Sequence, residues 1–322
     1  MAEREQDLIK NQNVCVIGGC GFIGSNIAEE LCINNKVRVI DNLYSGNTKN
    51  IEHFKDKVEY IQKDIREKDV DSVLKDTDII FHTGANAFID KSIENPGYDA
   101  EVNIIGTINL LEACRKNDIK KIVLSSTSAV YGEPVYQPID EKHPVNPDSP
   151  YAISKRSCEL YMQLYKELYG IKAVNLRYFN IYGNRQATNA GVISIFIDRI
   201  LRNQMLCIFG NGTQTRDYVH VSDAVKANIL AVTQHGVAGK IFNIGTGKCY
   251  SINDLIEILK KINPNVKAVY KEKRLGDPLD SVADTSLSEK ELGFKYSVEF
   301  ETGVKDTYGY MKKYYNYPSQ HI

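Results

Sequence analysis

Hydrophobic and polar positions along the first half of the chain alternate between two rhythms. Short runs rich in β-branched residues at 13–18, 36–41, 58–62, 78–81, 121–125 and 173–177 read as strands. Between them lie longer stretches with apolar residues at helical spacing. Examples are 22–33 and 102–116, the latter carrying Ile104, Ile105, Ile108, Leu110 and Leu111. Strands alternating with helices predict right-handed crossovers and an α/β fold with a doubly wound parallel sheet. Past residue 180 the rhythm breaks. Segments 183–191 and 210–217 are loop-like, while helical patterns return at 222–233, 252–262 and 287–292. The tyrosine- and lysine-rich run 308–317 reads as an amphipathic closing helix with lysine stems laid along its surface. The pattern predicts a first domain over 1–180, rejoined by 218–245. A smaller C-terminal α/β domain would comprise 181–217 and 246–322.

Composition narrows the function classes. Of 322 residues 43% are apolar, and 40 basic side chains face 41 acidic ones, so the net charge is −1 and disorder is disfavoured. A pI near 6.6 argues against a nucleic-acid partner held by a basic face. No apolar run is long enough to span a bilayer, and the charged opening segment lacks a signal core, so a cytoplasmic protein without membrane partners is expected. The seven cysteines are odd in number and lack zinc-ligand spacing. They are expected to be free thiols, with no metal site.

Two constellations carry chemistry. The first strand runs into Gly18-Gly19-Cys20-Gly21-Phe22-Ile23-Gly24, after which a helix begins. Glycines there allow a sharp turn and close approach to a pyrophosphate, which the helix N-terminus attracts. A glycine-rich turn can also be an ordinary strand-to-helix corner. Asp41 at the end of the second strand favours the dinucleotide reading. A carboxylate there accepts hydrogen bonds from a ribose diol and repels a 2′-phosphate, so NAD is expected over NADP. Its plainer role would be a helix cap.

The second constellation pairs Tyr151 with Lys155, one turn apart on a helix that Ser149 caps and Pro150 opens. Lowering a tyrosine pKa from ~10 to ~7 takes about 4 kcal/mol of phenolate stabilisation, which an ammonium and a cationic nicotinamide would supply. Among 20 tyrosines and many lysines, chance also produces such pairs. Ser125-Ser126-Thr127-Ser128-Ala129 follows a predicted central strand, at the sheet end where ligands of open α/β sheets bind. A hydroxyl there, from Ser126 or Thr127, would bond a substrate oxygen and relay a proton to Tyr151. An ordinary Ser/Thr turn has the same composition.

With these residues the chain resembles the extended short-chain dehydrogenase/reductase family, specifically its nucleotide-sugar epimerase branch. The resemblance runs from Gly18 to Leu292. It includes His82-Thr83-Gly84-Ala85, Asn103-x-x-Gly106-Thr107, Arg177-Tyr178-Phe179-Asn180, Arg216-Asp217-Tyr218 and Arg274-x-Gly276-Asp277. It implies a Rossmann-like NAD domain and a smaller nucleotide-sugar domain. NAD would be held by Gly18, Gly21, Phe22, Ile23, Gly24, Asp41, Asn42, Ser45 and Gly46. Asp64 and Ile65 would lie at the adenine, and Thr83, Gly84, Ala85, Asn103, Phe179, Tyr151 and Lys155 would make further contacts.

For a UDP-sugar substrate, the resemblance implies Asn180 and Arg216 on the diphosphate, Leu206, Cys207 and Phe209 around the uracil, and Val192, Thr127 and Tyr151 as further contacts. Arg274 and Asp277 would lie near phosphate and ribose. Read alone, Arg216 and Arg274 are surface ion-pair arginines; their bidentate fit to phosphate favours binding. Tyr151, Lys155, Thr127 and Ser126 would be catalytic. The dehydratase and decarboxylase branches carry a glutamate where this chain has Ala129. The resemblance therefore implies a 4-epimerase working through a 4-keto sugar, with a dehydratase or decarboxylase, or a non-catalytic NAD-binding regulator, as alternatives. Ser281, where some epimerases have tyrosine, leaves room for a 2-acetamido group. A homodimer built on the helices near 102–116 and 151–169 is also implied.

Overall fold

The computed structural model describes residues 9–272 and 280–315. Its first half contains strands β1 (Asn13–Ile17), β2 (Lys36–Asp41), β3 (Val58–Gln62), β4 (Ile79–His82), β5 (Lys121–Thr127) and β6 (Lys172–Tyr178). Helices α1 (Phe22–Leu31), α2 (Ile89–Glu94), α3 (Pro96–Ala100), α4 (Gly106–Lys116) and α5 (Pro150–Tyr169) intervene. The second half adds strands β7 (Asn180–Tyr182), β8 (Leu206–Phe209), β9 (Thr215–Arg216), β10 (Tyr218–His220), β11 (Ile241–Ile244), β12 (Tyr250–Ser251) and β13 (Ala268–Lys271). Its helices are α6 (Val192–Leu201), α7 (Val221–Thr233), α8 (Ile252–Ile262) and α9 (Phe300–Tyr314).

The main sheet runs β3-β2-β1-β4-β5-β6-β11, and each pairing is parallel. Strand order reverses between β1 and β4, which opens a crevice at their carboxyl ends. Successive strand residues serve opposite faces. Val14 and Val16 pack with Ile27 and Leu31 of α1 and Ile229 of α7. Cys15 and Ile17 pack with Leu110 and Leu111 of α4 and Met162 of α5 on the other face. A third core joins α6, α8 and α9 through Phe196, Leu255, Leu259, Val304 and Met311, and forms a smaller lobe. Among the described residues no helix is long and apolar enough to cross a membrane.

The structure departs from the sequence pattern in three places. The 102–116 run is broken, because Glu101–Ile105 forms a π turn before α4 begins. The 287–292 segment holds a π turn, Ser288–Leu292, in place of a regular helix. The 210–217 loop contains β9, which pairs antiparallel with β12. The first departure matters most. An extra residue in a helical turn re-aims side chains, and Asn103 sits inside that turn.

Candidate active site

A cleft of about 1020 Å³ opens along the carboxyl ends of β1, β2 and β4. Gly18, Gly21, Phe22, Ile23, Gly24, Asp41, Asn42, Ser45, Asp64, Ile65, Thr83, Gly84 and Ala85 line it. Gly18 has φ +73°, and a Cβ at Gly24 would stand 2.3 Å from the Gly18 carbonyl and 2.6 Å from Thr83 Oγ1. Only glycine at positions 18 and 24 lets the start of α1 lie this close. No side chain caps α1 at Gly21, which leaves the helix end to a ligand.

The Asp41 carboxylate is fixed by the backbone N–H groups of Cys20 (3.0 Å) and Leu43 (2.8 Å), and Gly46 packs against it. Burial is the larger influence and raises its pKa despite those two bonds. Asp64 is bound by Arg66 (2.9 and 3.0 Å) and Asn42 (2.8 Å). Although burial opposes them, these partners hold its carboxyl down at about 2. The residues present fit a dinucleotide: a glycine-rich cradle at a helix end, with a carboxylate at the second strand.

The catalytic candidates lie beside this cleft. Ser149 caps α5 through Ala152 N–H at 3.3 Å, and Pro150 opens it. Tyr151 and Lys155 therefore fall in the first two turns, and Lys155 is 2% exposed. β5 pairs with β4, which brings Thr127 to the strand end next to Thr83-Gly84-Ala85. The Thr127 hydroxyl lies near enough to the Tyr151 phenol to favour its ionised form, and it accepts from Ala129 N–H at 3.1 Å.

Beneath them lies a buried polar network that the sequence reading missed. Asn103 Nδ2 reaches Ser154 Oγ (2.9 Å) and Asp99 Oδ1 (3.1 Å), Asn86 Nδ2 donates to the same Asp99 oxygen (3.0 Å), and Asn86 N–H donates to Asn103 Oδ1 (2.8 Å). The π turn puts Asn103 there, and no residue pattern announces such a turn. His82 bonds Thr107 at 3.0 Å, and burial, with the nearby Lys155 charge, pushes its imidazole down to about 3, so it is neutral.

The smaller lobe carries a second cleft of about 580 Å³, lined by Asn180, Val192, Cys207, Phe209 and Arg216 among others. Gln186 and Gly191 line both clefts, so the 185–191 loop is their shared wall. The family model described as NAD dependent epimerase/dehydratase family matches residues 14–245. The chain belongs to that family.

Among relatives of this chain, a putative UDP-glucose 4-epimerase from Methanocaldococcus jannaschii is 46% identical, over 93% of this chain and 98% of that protein. A UDP-N-acetylglucosamine 4-epimerase from Methanobrevibacter ruminantium, solved with UDP-N-acetylmuramic acid, superposes with a TM-score of 0.90 at 38% identity. The match covers 94% of this chain and 99% of that one. A UDP-glucose 4-epimerase from Thermotoga maritima, solved with UDP-glucose, gives 0.89 at 38% identity with the same coverage.

Several expected site residues take other positions in this family member. The Ser126 hydroxyl donates to Glu159 Oε1 at 2.6 Å within a buried ion pair with Arg177, on the strand face opposite Thr127, so it does not reach a substrate oxygen. Leu206 is fully buried in the core of the smaller lobe, and its alternate neighbour Cys207 faces the cleft. Phe179 packs with Val130, Tyr131, Ile139 and Ala283, away from the cofactor cleft. Asn103 lies under the cleft and outside its lining.

The expected lowering of the Tyr151 pKa asks for both an ammonium and a cationic nicotinamide. In the protein alone, burial pushes the phenol up to about 12, with the nearby Thr127 hydroxyl opposing and the Asp99 charge adding to the rise. Lys155 is itself pushed down by burial. Arg274 and Asp277 lie outside the described residues.

Proposed function

We propose that this protein is a UDP-hexose 4-epimerase, an isomerase that interconverts C4 epimers of UDP-GlcNAc and UDP-GalNAc, of UDP-Glc and UDP-Gal, or of both pairs. The observation that carries the reading is the grouping of Thr127, Tyr151 and Lys155 at the end of β5, beside the cofactor cleft, with Ser128 and Ala129 as the next residues. That set can move a proton at a sugar hydroxyl. It places no carboxylate at 128 or 129 to expel water from C5 and C6 or to assist loss of CO₂.

In this reading Tyr151 takes the proton of the sugar O4 and later returns it. Thr127 holds the phenol and the sugar oxygen in line, and the Lys155 ammonium favours the phenolate. The Gly18–Gly24 loop and Asp41 would hold NAD, whose nicotinamide would supply the hydride acceptor and donor for C4. The cleft around Cys207, Phe209, Asn180 and Arg216 would receive the UDP, with Arg216 facing phosphate. Ser281 leaves room at C2, so a 2-acetamido sugar fits the reading as well as a free hexose.

The domain division follows the same logic, with the main sheet for NAD and the smaller lobe for the sugar nucleotide. Five buried cysteines among seven free thiols support a reducing cytoplasm. Ile153, Leu160, Leu164 and Leu168, half exposed along the outer face of α5, support a homodimer.

Purified protein incubated separately with UDP-Glc and UDP-GlcNAc, with products read by NMR, tests this reading. Conversion at C4 without net NADH is expected. Loss of water or CO₂ from the sugar, seen by mass spectrometry, would instead identify a dehydratase or decarboxylase of the same family.

A further inference from the structure

Asp217 is fully buried and bonds to several residues around the proposed sugar-nucleotide site. Its carboxylate accepts from Thr246 N–H (2.8 Å), Thr246 Oγ1 (2.7 Å), Gly247 N–H (3.0 Å) and Ala283 N–H (3.2 Å). Its own N–H donates to the Ser281 carbonyl at 2.9 Å. Its carbonyl accepts from Asn180 N–H (3.0 Å) and Asn180 Nδ2 (3.1 Å). Three chain segments that are distant in sequence, at 180, 246–247 and 281–283, thus meet on one residue, and Arg216 is its immediate neighbour. The packing leaves no slack. A Cβ on Gly245 would stand 2.6 Å from Asp217 Oδ2 and 2.4 Å from Ala283 Cβ.

An ionised carboxylate only accepts hydrogen bonds, so it can gather several N–H and O–H donors at once, and bonds to it are about twice as strong as neutral ones. An amide in its place presents two N–H donors toward groups that are themselves donors. We infer that Asp217 is a positioning residue: its backbone ties Asn180 to Ser281, its carboxylate pins Ala283 and the 246–247 turn that leads into β12, the partner strand of Arg216, and through these it governs UDP affinity and the room allowed at the sugar C2. This rests on the epimerase reading only for the sugar. The binding of UDP itself does not depend on which reaction follows.

The test is calorimetry with UDP as the probe on the NAD-loaded parent and Asp217→Asn, followed by steady-state kinetics on UDP-Glc and UDP-GlcNAc. The expected result is a loss of UDP affinity and a rise in KM on the order of tenfold, the scale of one lost charge-assisted bond, with kcat changed less. The ratio of kcat/KM between the two sugars should also change, because the carboxylate's hold on Ala283, two residues after Ser281, is lost. NAD retention should stay at the parent level. Thr246→Val removes one bond to the same carboxylate and should move UDP affinity in the same direction by less, which keeps the test open if Asp217→Asn does not fold. A fall in melting temperature with UDP affinity, both KM values and the sugar ratio unchanged would overturn the inference. A parent that binds UDP but converts neither sugar would overturn the epimerase reading and leave the calorimetric comparison standing.

Discussion

Ser126 Oγ spends its proton on Glu159, while Thr127 Oγ1, one residue on, meets Tyr151. In the sequence the two hydroxyls are equivalent candidates. Side-chain alternation along β5 separates them, and the deciding fact is which face the partner helix occupies. Ser126→Ala should leave turnover near the parent value and cost about 1–3 kcal/mol in urea unfolding, because a buried carboxylate loses a donor. Thr127→Val should do the reverse, lowering kcat on the order of 10–100-fold with little change in unfolding. Equal kinetic loss in both variants would return Ser126 to the catalytic set. Tyr151→Phe should abolish C4 epimerisation while NAD binding, followed by fluorescence titration, persists.

Asp41 was legible from its place alone, since the end of the second strand after a glycine loop is where a ribose diol would lie. The direction of the Tyr151 shift was not legible, because burial of the phenol depends on what α5 packs against. Asp41→Ser should weaken NAD on the order of tenfold and narrow its preference over NADP, measured by titrating both cofactors.

At the scale of elements, α5 is held to β6 by a buried ion pair. Glu159, fully buried, takes Arg177 Nε at 2.8 Å and Nη2 at 2.7 Å, and Arg156 adds a bond of 2.9 Å. Arg177 also stacks on Tyr131 with 4.7 Å to the ring centroid. Burial alone would raise the Glu159 pKa, but the Arg177, Ser126 and Arg156 partners prevail and lower it. A carboxyl depressed in the native state contributes stability that is complete above its unfolded value of ~4.3. That contribution is lost as pH falls through the lower native value. Glu159→Gln should therefore destabilise by about 3 kcal/mol at neutral pH, since it leaves buried arginine charge uncompensated. Its unfolding midpoint should also decline less steeply than the parent's below ~pH 4. A parallel decline in both proteins would place the acid sensitivity elsewhere. The strands of the first half and the helices α1, α4 and α5 were legible because their spacing or caps are regular, whereas the short α2 and α3 were not. The π turns at Glu101–Ile105 and Ser288–Leu292 were not, because one extra residue per turn is set by packing and leaves the apolar pattern almost unchanged.

At the scale of the molecule, the alternating pattern implied the doubly wound sheet. The return of β11 to its edge was only outlined, since a single short strand carries little signal after a long excursion. What remains on the surface bears on assembly. The inner face of α5 buries Lys155, Cys158, Glu159 and Met162. Its outer face shows Ile153, Leu160, Leu164 and Leu168, each about half exposed, in one stripe, with Ile105 exposed on the π turn that leads into the neighbouring α4. A contiguous apolar stripe on two adjacent helices is more than scattered surface leucines. A stripe along a helix is also self-complementary under a two-fold axis, so a second copy of this chain is the occupant it fits. Light scattering should give the mass of two 36.3 kDa chains for the parent and of one for Leu160→Glu/Leu164→Glu, because a carboxylate facing its own symmetry mate costs both desolvation and repulsion. The same helix carries Tyr151 on its first turn, so the monomer should keep its cofactor yet turn over more slowly at dilution. A parent that runs as a single chain at micromolar concentration would show that the stripe serves some other purpose.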